Sequence, residues 1–331
     1  MKIEVSGKGQ SNGLSREKNG GCEFGPDTSG TETSGITEAM GSADSGTIVL
    51  TGGRYICRDE LTVKSGFTIE GNQQSIIVNE TKHFFKPFMT FKAYTYSPFL
   101  IADANGKGGI SIGENGNNSI HIGYLKVYGS GNVYDEAHGS QNSCRISGYN
   151  VSIEELDILG GNTGLAVEKA ADVRIQDAQI VDSATGIAIS SAEHVSIGRF
   201  SVDSCSYCGV QIDASADISM KGIIWNNTLA YPRNSLKFGM LIGEYSVGNK
   251  NSFLDINAKI IGTGGTAVKL SNTSLSRLDL LISNERMSTG GNEILCGIDY
   301  RENIDLLDIE ATLHSIKNNT SGEAIGDLNV I

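Results

Sequence analysis

The chain has 331 residues and a formal net charge of −12 at pH 7, and this length fits one large domain or two. Such an acidic balance argues against a surface that binds the phosphates of nucleic acids. No apolar run approaches the length that crosses a membrane, and residues 1–7 carry no apolar stretch of an export signal. The 42 glycines and four prolines favour many tight corners and few interrupted strands.

The chain opens on residues 1–32, which are rich in glycine, serine and asparagine and hold few large apolar side chains. This composition does not build a core, so we predict a flexible or attachment arm here. Residues 33–41 then predict a short helix. Residues 45–55 and 61–71 predict the strands and turns of a first coil, so the folded domain is expected to span residues 33–331.

An aromatic-rich segment interrupts the coils at residues 83–99, which hold seven of the chain's 22 aromatic side chains. Its alternation of apolar and polar residues is imperfect, so no clean strand is predicted. Three interpretations remain open: the segment packs over an end of the coils, contacts another subunit, or stacks on sugar rings. The residues expected at a subunit contact are Phe84, Phe85, Phe88, Phe91, Tyr94 and Tyr96.

The stretch that organises the chain is residues 148–249, where one short pattern occurs four times. Each copy begins with alternating apolar residues and continues with a glycine and a second apolar alternation, as in Gly186-Ile-Ala-Ile. The first apolar position recurs every 22 or 23 residues. The aligned apolar columns are Val151/Val173/Val195/Ile218, Ile153/Ile175/Ile197/Met220, Leu156/Ala178/Phe200/Ile223 and Ile158/Ile180/Val202/Trp225.

This period predicts a solenoid. Alternation turns one face of a strand inward, and two or three such strands joined by corners make one coil. A single coil cannot bury its apolar face alone, so the copies stack and the columns become a continuous core. Helical repeats of this length carry long apolar runs at 3.6-residue spacing, and no copy has one. We therefore predict an all-β chain that folds as a single-stranded parallel β-helix.

Further coils are predicted on both sides of the four copies. Residues 120–127 repeat the column offsets, and residues 304–311 fit them as well. Residues 275–282 fit less well because Arg277 falls in an apolar column, and the register of residues 253–260 stays open. After Leu313 the pattern fades without a predicted cap, which leaves a strand edge to be covered by the tail, by a partner or by a further part of a longer chain.

Two stretches follow the predicted helix, Gly46-Thr-Ile-Val-Leu-Thr-Gly-Gly-Arg-Tyr55 and Leu61-Thr-Val-Lys-Ser-Gly-Phe-Thr-Ile-Glu-Gly71. This succession resembles the amino-terminal end of the pectate-lyase-like superfamily of β-helix proteins. The resemblance, which with the coils covers roughly residues 33–315, implies a right-handed coil and a short amino-terminal capping helix. The superfamily includes pectate lyases, polygalacturonases, alginate lyases and epimerases, and phage tailspikes, so the fold alone does not choose an activity. The residue motifs that mark those enzymes have no match in this sequence.

Three long segments leave the coils at one corner, between a copy's first strand and the glycine of its second. The connection takes six residues in two copies, but it is much longer after Val127, Trp225 and Ile282. A shorter insertion at residues 243–253, at another corner, adds Glu244 and Tyr245. The residues expected to bind carbohydrate are Tyr231, Asn234, Glu285, Arg286 and Glu293, and the catalytic candidates are Asp135, Glu136, His138, Arg233 and Lys237.

These residue types fit two kinds of polysaccharide chemistry. A lyase or epimerase needs a base for the C5 proton, an acid for the leaving oxygen and a cation for the uronate, and the histidine, tyrosine and cations above supply such groups. A hydrolase needs two carboxylates that flank the bond, one from the segment after Val127 and one from the segment after Ile282. The alternative is that these are ordinary solvated loops, which normally carry charges.

The six cysteines include one CxxC pair, Cys205 and Cys208. A structural zinc site would require a second pair, and a redox pair would begin a helix. This pair instead spans a predicted corner, so we expect buried, apolar side chains. No cofactor is expected; Ca²⁺ stays open as a ligand, although no motif indicates it.

Two functions remain open. In the first, the chain is a virion protein of the tailspike, fibre or capsid-decoration type. It forms a homotrimer, displays loops to a host glycan with or without depolymerase activity, and contacts other virion proteins through the arm; the missing export signal favours this. In the second, it is a secreted lyase, epimerase or hydrolase for acidic polysaccharides whose signal has been removed. Both place the protein on a virion or outside the cell, without nucleic-acid or membrane partners.

Overall fold

The computed structural model describes residues 1–6, 22–51, 53–57, 61–63, 67–71, 75–79, 100–102, 110–112, 118–128, 142–225, 237–245, 249–262, 265–284, 294–301, 304–314, 316, 318–321 and 326–330. The chain divides into two compact units, Met1–Asn162 and Thr163–Ile331. Each is described by itself.

The first unit is built from one short helix and parallel strands. Its elements are α1 (Ile36–Gly41), β1 (Lys2–Val5), β2 (Gly46–Leu50), β3 (Gly53–Cys57), β4 (Leu61–Val63), β5 (Phe67–Gly71), β6 (Ser75–Asn79), β7 (Leu100–Ala102), β8 (Ile110–Ile112), β9 (Asn118–Tyr128), β10 (Asn142–Ile146) and β11 (Tyr149–Leu159). One sheet runs β1-β2-β5-β9-β11 with β7 also beside β9, a second runs β4-β8-β10, and β3 pairs with β6.

Part of the predicted arm belongs to this unit's sheet. Strand β1 pairs in parallel with β2, and its Ile3 and Val5 are buried, so residues 2–5 are ordered by strand pairing rather than flexible. Residues 7–21 of the arm lie outside the described residues. Helix α1 forms inside the predicted segment and buries Ile36, Ala39 and Met40, and its role as a cap stays a prediction.

The second unit alternates long and short strands. These are β12 (Thr163–Glu168), β13 (Ala171–Val181), β14 (Thr185–Ser190), β15 (Glu193–Asp203), β16 (Cys208–Asp213), β17 (Ala216–Trp225), β18 (Phe238–Ile242), β19 (Asn251–Ile261), β20 (Thr266–Leu270), β21 (Thr273–Ser283), β22 (Cys296–Tyr300), β23 (Ile304–His314), β24 (Asn318–Ser321) and β25 (Gly326–Val330). The long strands pair in sequence order in a first sheet, β13 to β25, and the short strands in a second sheet, β12 to β24. One long and one short strand make each coil, so the predicted parallel β-helix is confirmed.

The predicted apolar columns are confirmed within each unit. In the second unit Val173 pairs with Val195, Val195 with Ile218 and Ile218 with Leu254, and all four are buried. In the first unit Val151 pairs with Ile120 in the same way. Successive residues of a column lie on adjacent strands, about 4.8 Å apart. Their apolar side chains therefore stack into a core that no single coil could form.

One part of the predicted alignment is wrong. We expected Ile223 and Trp225 in the core columns, but the register shifts within β17 so that Gly222 lies opposite Phe200 and Ile224 takes the buried position beside Val202. Ile223 is half-buried and Trp225 is 39% exposed. The cause is that β17 is one residue shorter than its neighbours, and a side chain at position 222 would collide with the backbone of Phe200.

The register of the later coils resolves the Arg277 problem. Ser276, not Leu275, takes the buried position beside Leu254 and Leu307. Arg277 then points outward opposite Asp255, and Leu278 fills the next core position. The prediction was therefore one residue too early at the first two core positions of this coil, whereas Leu280 and Ile282 are buried as expected.

The corners of the second unit turn on residues in the left-handed region of φ. The backbone ladder continues through them: the N–H of Asp182 donates to the Asp203 carbonyl at 3.1 Å, and that of Ser191 to the Asp213 carbonyl at 3.0 Å. Successive corners therefore stack as regularly as the strands. The turn residues have φ from 43° to 74° and are Asp182, Ser204 and Gly262 after first-sheet strands, and Lys169, Ser191, Ala214, Gly243 and Asn272 after second-sheet strands.

Tyr300 makes stability depend on pH in alkaline solution. Its ring is buried, its hydroxyl has no hydrogen-bond partner among the described residues, and burial raises its pKa to about 12. Since the unfolded chain loses this proton near pH 10, the free energy of unfolding is fully retained below pH 10 and falls by about 2–3 kcal/mol as pH rises toward 12.

The variant Tyr300→Phe is the matched test. We expect urea unfolding to show equal or slightly higher stability at neutral pH, because a buried hydroxyl without a partner is removed. Between pH 10 and 12 the variant should lose less stability than the wild type. A parallel decline of both proteins would show that other groups cause it.

Candidate functional site

Of the residues selected from the sequence as site residues, Lys237 lies in the described part of the chain. The remaining catalytic and carbohydrate-binding candidates and the subunit-contact aromatics lie outside the described residues. They are Asp135, Glu136, His138, Arg233, Tyr231, Asn234, Glu285, Arg286 and Glu293, together with Phe84, Phe85, Phe88, Phe91, Tyr94 and Tyr96.

The strands show where the long segments attach. In the second unit, residues 226–237 connect β17 to β18 and residues 284–295 connect β21 to β22, so both run from the first sheet to the second. In the first unit, residues 129–141 connect β9 to β10 in the same way. In each unit these segments lead into the start of second-sheet strands, so a ligand-binding face is expected at that corner.

The outward face of the second sheet forms a row of four side chains in register. Val210 and Ile212 of β16 and their partners point into the core, so the residues between them point outward. The row is Gln211, Leu241, Lys269 and Asp299, one from each of β16, β18, β20 and β22. The row combines an amide, a cation and a carboxylate with one apolar side chain, and two of its members, Leu241 and Asp299, are buried.

Two tyrosines cross this row. Tyr207 precedes β16 and Tyr245 follows β18, and their hydroxyl oxygens lie 2.9 Å apart in a hydrogen bond. We call this pair the tyrosine bridge. Tyr245 is 56% exposed, whereas Tyr207 is half-buried and meets the ring of Phe238 edge-on at 5.8 Å. The bridge thus offers aromatic surface to solvent beside polar groups.

Hydrogen bonds and an ion pair hold the Tyr245 end of the tyrosine bridge in place. The backbone N–H of Tyr245 donates to Asp213 Oδ1 at 2.9 Å, and Gln211 Nε2 donates to Asp213 Oδ2 at the same distance. The neighbouring Glu244 forms an ion pair with Lys269 at 2.5 Å, in which both side chains are largely buried. The insertion after β18 is therefore fixed to the sheet at two successive residues.

Two lysines complete the cluster. Lys237 is exposed, and its Nζ lies 6.0 Å from the centre of the Tyr207 ring. Lys269 Nζ lies 6.0 Å from the Phe238 ring while it pairs with Glu244. Cations over aromatic faces are attracted by the ring quadrupole. We name Tyr207, Lys237, Phe238, Glu244, Tyr245 and Lys269 the tyrosine–lysine cluster.

Tyr207 is protonated at neutral pH. Burial, followed by its hydrogen bond with Tyr245, raises its pKa well above the ordinary value of a tyrosine. The hydroxyl therefore donates and accepts hydrogen bonds but is a poor base. The cluster is suited to hold a polar ligand rather than to abstract a proton through this residue.

The cysteines form no second site among the described residues. Cys205 and Cys208 are buried free thiols, and burial raises the pKa of both. In the part of the chain that the structure describes, no group of three or more His, Cys, Asp or Glu side chains is placed to hold a metal ion. Over the same residues, no helix is long and apolar enough to cross a membrane.

Sequence reasoning selected Lys237 and noted Glu244 and Tyr245, but it missed Tyr207, Phe238 and Lys269. Tyr207 lies inside the CxxC pair, and that pair was the feature on which the prediction for this corner depended. The usable signal was alternation, because the residues between the core positions of β18 and β20 lie on the outer face of the sheet, where Lys269 is half-buried and Leu241 is buried. A row read across successive copies would have placed Lys269 on the same face as Gln211.

The sheets and the cluster together define the class: a parallel β-helix protein with an aromatic and cationic patch on its second sheet. No protein-family model matches the chain, and no characterised protein matches it in sequence. Solved structures similar to it include the enzymatically active domain of tailspike protein 2 of bacteriophage CBA120, at 12% identity and a TM-score of 0.47 over 92% of this chain and 42% of that one. The chain thus spans about two fifths of the length of that domain.

Two further structures are similar over most of the chain. PfbA, a surface adhesin of Streptococcus pneumoniae, is 12% identical with a TM-score of 0.43, over 85% of each chain. A family 28 exopolygalacturonase of Yersinia enterocolitica is 13% identical with a TM-score of 0.40, over 88% of this chain and 64% of that one.

Proposed function

We propose that this chain is a carbohydrate-binding protein that presents a glycan site on the outer face of its second sheet. The observation that carries the proposal is the tyrosine–lysine cluster, which combines the exposed ring of Tyr245 with the exposed cation of Lys237. The long segments at residues 226–237 and 284–295 leave from the start of the same strands. Their candidates Tyr231, Asn234 and Glu293 would extend the site.

The chemistry of the cluster matches that of a sugar. Amphipathic aromatic side chains bind surfaces that are apolar on one side and polar on the other, which describes the face and edge of a sugar ring. The tyrosine hydroxyls and Gln211 can exchange hydrogen bonds with ligand hydroxyls. Lys237 adds attraction for a carboxylate or sulfate, so an acidic glycan is favoured over a neutral one.

The described residues support binding more than catalysis. Tyr207 keeps its proton, Glu244 is paired with Lys269, and Asp213 accepts hydrogen bonds from Tyr245 and Gln211. A hydrolase or lyase would therefore depend on His138, Arg233 or the carboxylates of the long segments. This secreted-enzyme alternative remains the second candidate.

A panel of soluble polysaccharides, acidic and neutral, tests the proposal by titration calorimetry. Each mixture is also assayed for reducing ends and for the absorbance of unsaturated uronates. We expect saturable binding to at least one acidic glycan without turnover. Turnover that is lost in His138→Ala would favour the enzyme, and the absence of any binding across the panel would count against the site.

We infer further that the protein acts on a virion or outside the cell as a homotrimer. In this proposal the aromatic-rich sequence at residues 83–99 would contact another subunit, and the arm predicted over residues 1–32 would attach the protein to other virion proteins. Multi-angle light scattering should give three times the chain mass of 35.1 kDa. A monomer over the accessible concentration range would argue strongly against the virion assignment.

A further inference from the structure

We propose that the tyrosine bridge is a site of covalent cross-linking, in which one-electron oxidation joins the rings of Tyr207 and Tyr245 as dityrosine. The inference goes beyond glycan binding and does not depend on it. The co-reactant is hydrogen peroxide, used by a haem peroxidase that takes electrons from exposed phenols. The bridge then changes from a hydrogen bond, which water can replace, into a carbon–carbon bond between two coils.

The separation of the two hydroxyls already matches that of the coupled product. The oxygens of Tyr207 and Tyr245 lie 2.9 Å apart. In dityrosine the new bond joins the ring carbons next to the two hydroxyl-bearing carbons, so the hydroxyls flank that bond and stay within hydrogen-bond distance of each other. Coupling therefore requires the rings to turn toward each other, and it does not require the two segments of chain to approach.

Contacts that leave the hydroxyls free to react hold each tyrosine in place. Phe238 meets the ring of Tyr207 edge-on at 5.8 Å. Asp213 accepts the backbone N–H of Tyr245 at 2.9 Å, and the residue before Tyr245 forms an ion pair. These contacts persist when a hydroxyl loses its proton. Two reactants that are held together in this way react far more readily than two that must meet in solution.

The pair combines an accessible ring with a partly covered one. Tyr245 is 56% exposed and Tyr207 is half-buried, so an oxidant takes its first electron from Tyr245. Either hydroxyl can donate in the bond between them. A hydrogen atom can therefore pass from the Tyr207 hydroxyl to the oxidised Tyr245, which moves the radical to the covered ring and leaves Tyr245 to be oxidised again.

The atoms and electrons of the coupling balance. Each phenol loses one electron and its hydroxyl proton, which gives two tyrosyl radicals. The radicals join at the carbons next to the hydroxyl-bearing carbons, and the hydrogen on each of those carbons moves to the neighbouring oxygen and restores the phenol. In total two electrons and two protons leave the pair and reduce one molecule of hydrogen peroxide to two of water.

The other tyrosines whose side chains the structure describes form no such pair. The hydroxyl of Tyr55 donates to the Val5 carbonyl at 2.6 Å in the core. The hydroxyl of Tyr300 is buried and has no hydrogen-bond partner among the described residues. Tyr149 is 43% exposed, but within the described part of the chain its hydroxyl makes no bond to another tyrosine. An oxidant that reaches Tyr149 therefore finds no partner for coupling beside it.

The test treats the full chain, diluted to disfavour contacts between molecules, with a haem peroxidase and hydrogen peroxide. We expect dityrosine fluorescence, a mass lower by two hydrogen atoms, and a digested peptide in which Tyr207 is joined to Tyr245. Tyr245→Phe keeps the ring without the phenol and should abolish this peptide, whereas Tyr149→Phe should leave its yield unchanged.

The cross-link should also stabilise the protein. It closes a segment of chain whose ends are 38 positions apart, which restricts the unfolded chain as a disulfide does. We expect the thermal midpoint of the treated wild type to rise by roughly 5 °C. Treated Tyr245→Phe should show no rise, because oxidation elsewhere does not close this segment.

Peptide mapping of the treated wild type decides the outcome. Dityrosine that joins other residues, or that joins separate molecules alone, overturns the inference. Oxygen added to the exposed Trp225 in place of coupling also overturns it, as does equal fluorescence from Tyr245→Phe. None of these results bears on the proposed glycan site, which is tested by calorimetry of the untreated protein.

Discussion

Replacing Gly243 with alanine is expected to lower the free energy of unfolding by about 3 kcal/mol or more. Gly243 turns the chain at the end of β18 with a φ of 74°, and a side chain there would collide with the carbonyl oxygen of Ser271. That oxygen belongs to the corner of the next coil, so relief requires the backbone of two coils to separate. Thermal unfolding followed by circular dichroism should show a midpoint lower by roughly 6–12 °C.

The control is Ser191→Ala at the equivalent corner two coils earlier. Ser191 has a φ of 51° and is exposed, and Ala214 already occupies this position in the coil between them with a φ of 48°. Alanine is therefore tolerated in this backbone conformation, and the midpoint of Ser191→Ala should barely move. An equal loss in both variants would show that the conformation, and not the contact with Ser271, sets the requirement for glycine.

The same glycine connects the fold to the candidate site. Glu244 and Tyr245 follow it directly, and their contacts with Lys269 and Asp213 define the side of the tyrosine–lysine cluster. A shift of this corner moves both contacts at once. Gly243→Ala should thus weaken any glycan binding even where the protein remains folded.

The core could be predicted from the sequence because it repeats. Val173, Val195 and Ile218 recur at an almost constant interval, and alternation leaves one arrangement in which they are all buried. Where a copy gains or loses one residue the alignment fails, as it did at Trp225 and Leu275. Period alone cannot decide which residue of such a copy forms the bulge, since that depends on contacts such as the one between Gly222 and Phe200.

The site was harder to predict because it is assembled from residues far apart in sequence. Tyr207 and Tyr245 are separated by 38 positions and meet because β16 and β18 are neighbours. Sequence reasoning directed attention to the long segments, where charged residues are frequent. The pairing register decides which residues lie side by side on the face next to these segments. The sequence predicted that register for the buried positions, but no prediction was made for the outward positions.

Replacing Tyr245 with alanine should weaken binding of the best glycan in the panel by roughly thirtyfold or more. The exposed ring is the part of the cluster that a sugar can cover, and its truncation removes that surface together with the partner of Tyr207. Tyr245→Phe keeps the ring and loses the 2.9 Å hydrogen bond, so its affinity should fall only a few-fold. Titration calorimetry of both variants with the same glycan measures the difference.

Lys237→Met and Tyr149→Ala complete the series. Lys237 is exposed and lies beside the ring of Tyr207, so its loss should lower affinity for acidic glycans and flatten the dependence of binding on salt. Tyr149, exposed by 43% in the first unit, should be silent. If Tyr245→Ala binds as the wild type does, the glycan is held elsewhere. If Tyr149→Ala loses as much affinity as Tyr245→Ala, the effect is not specific to the tyrosine–lysine cluster. Tyr245 belongs to that cluster through the contacts of its own backbone N–H and of Glu244, whereas Tyr149 lies in the first unit.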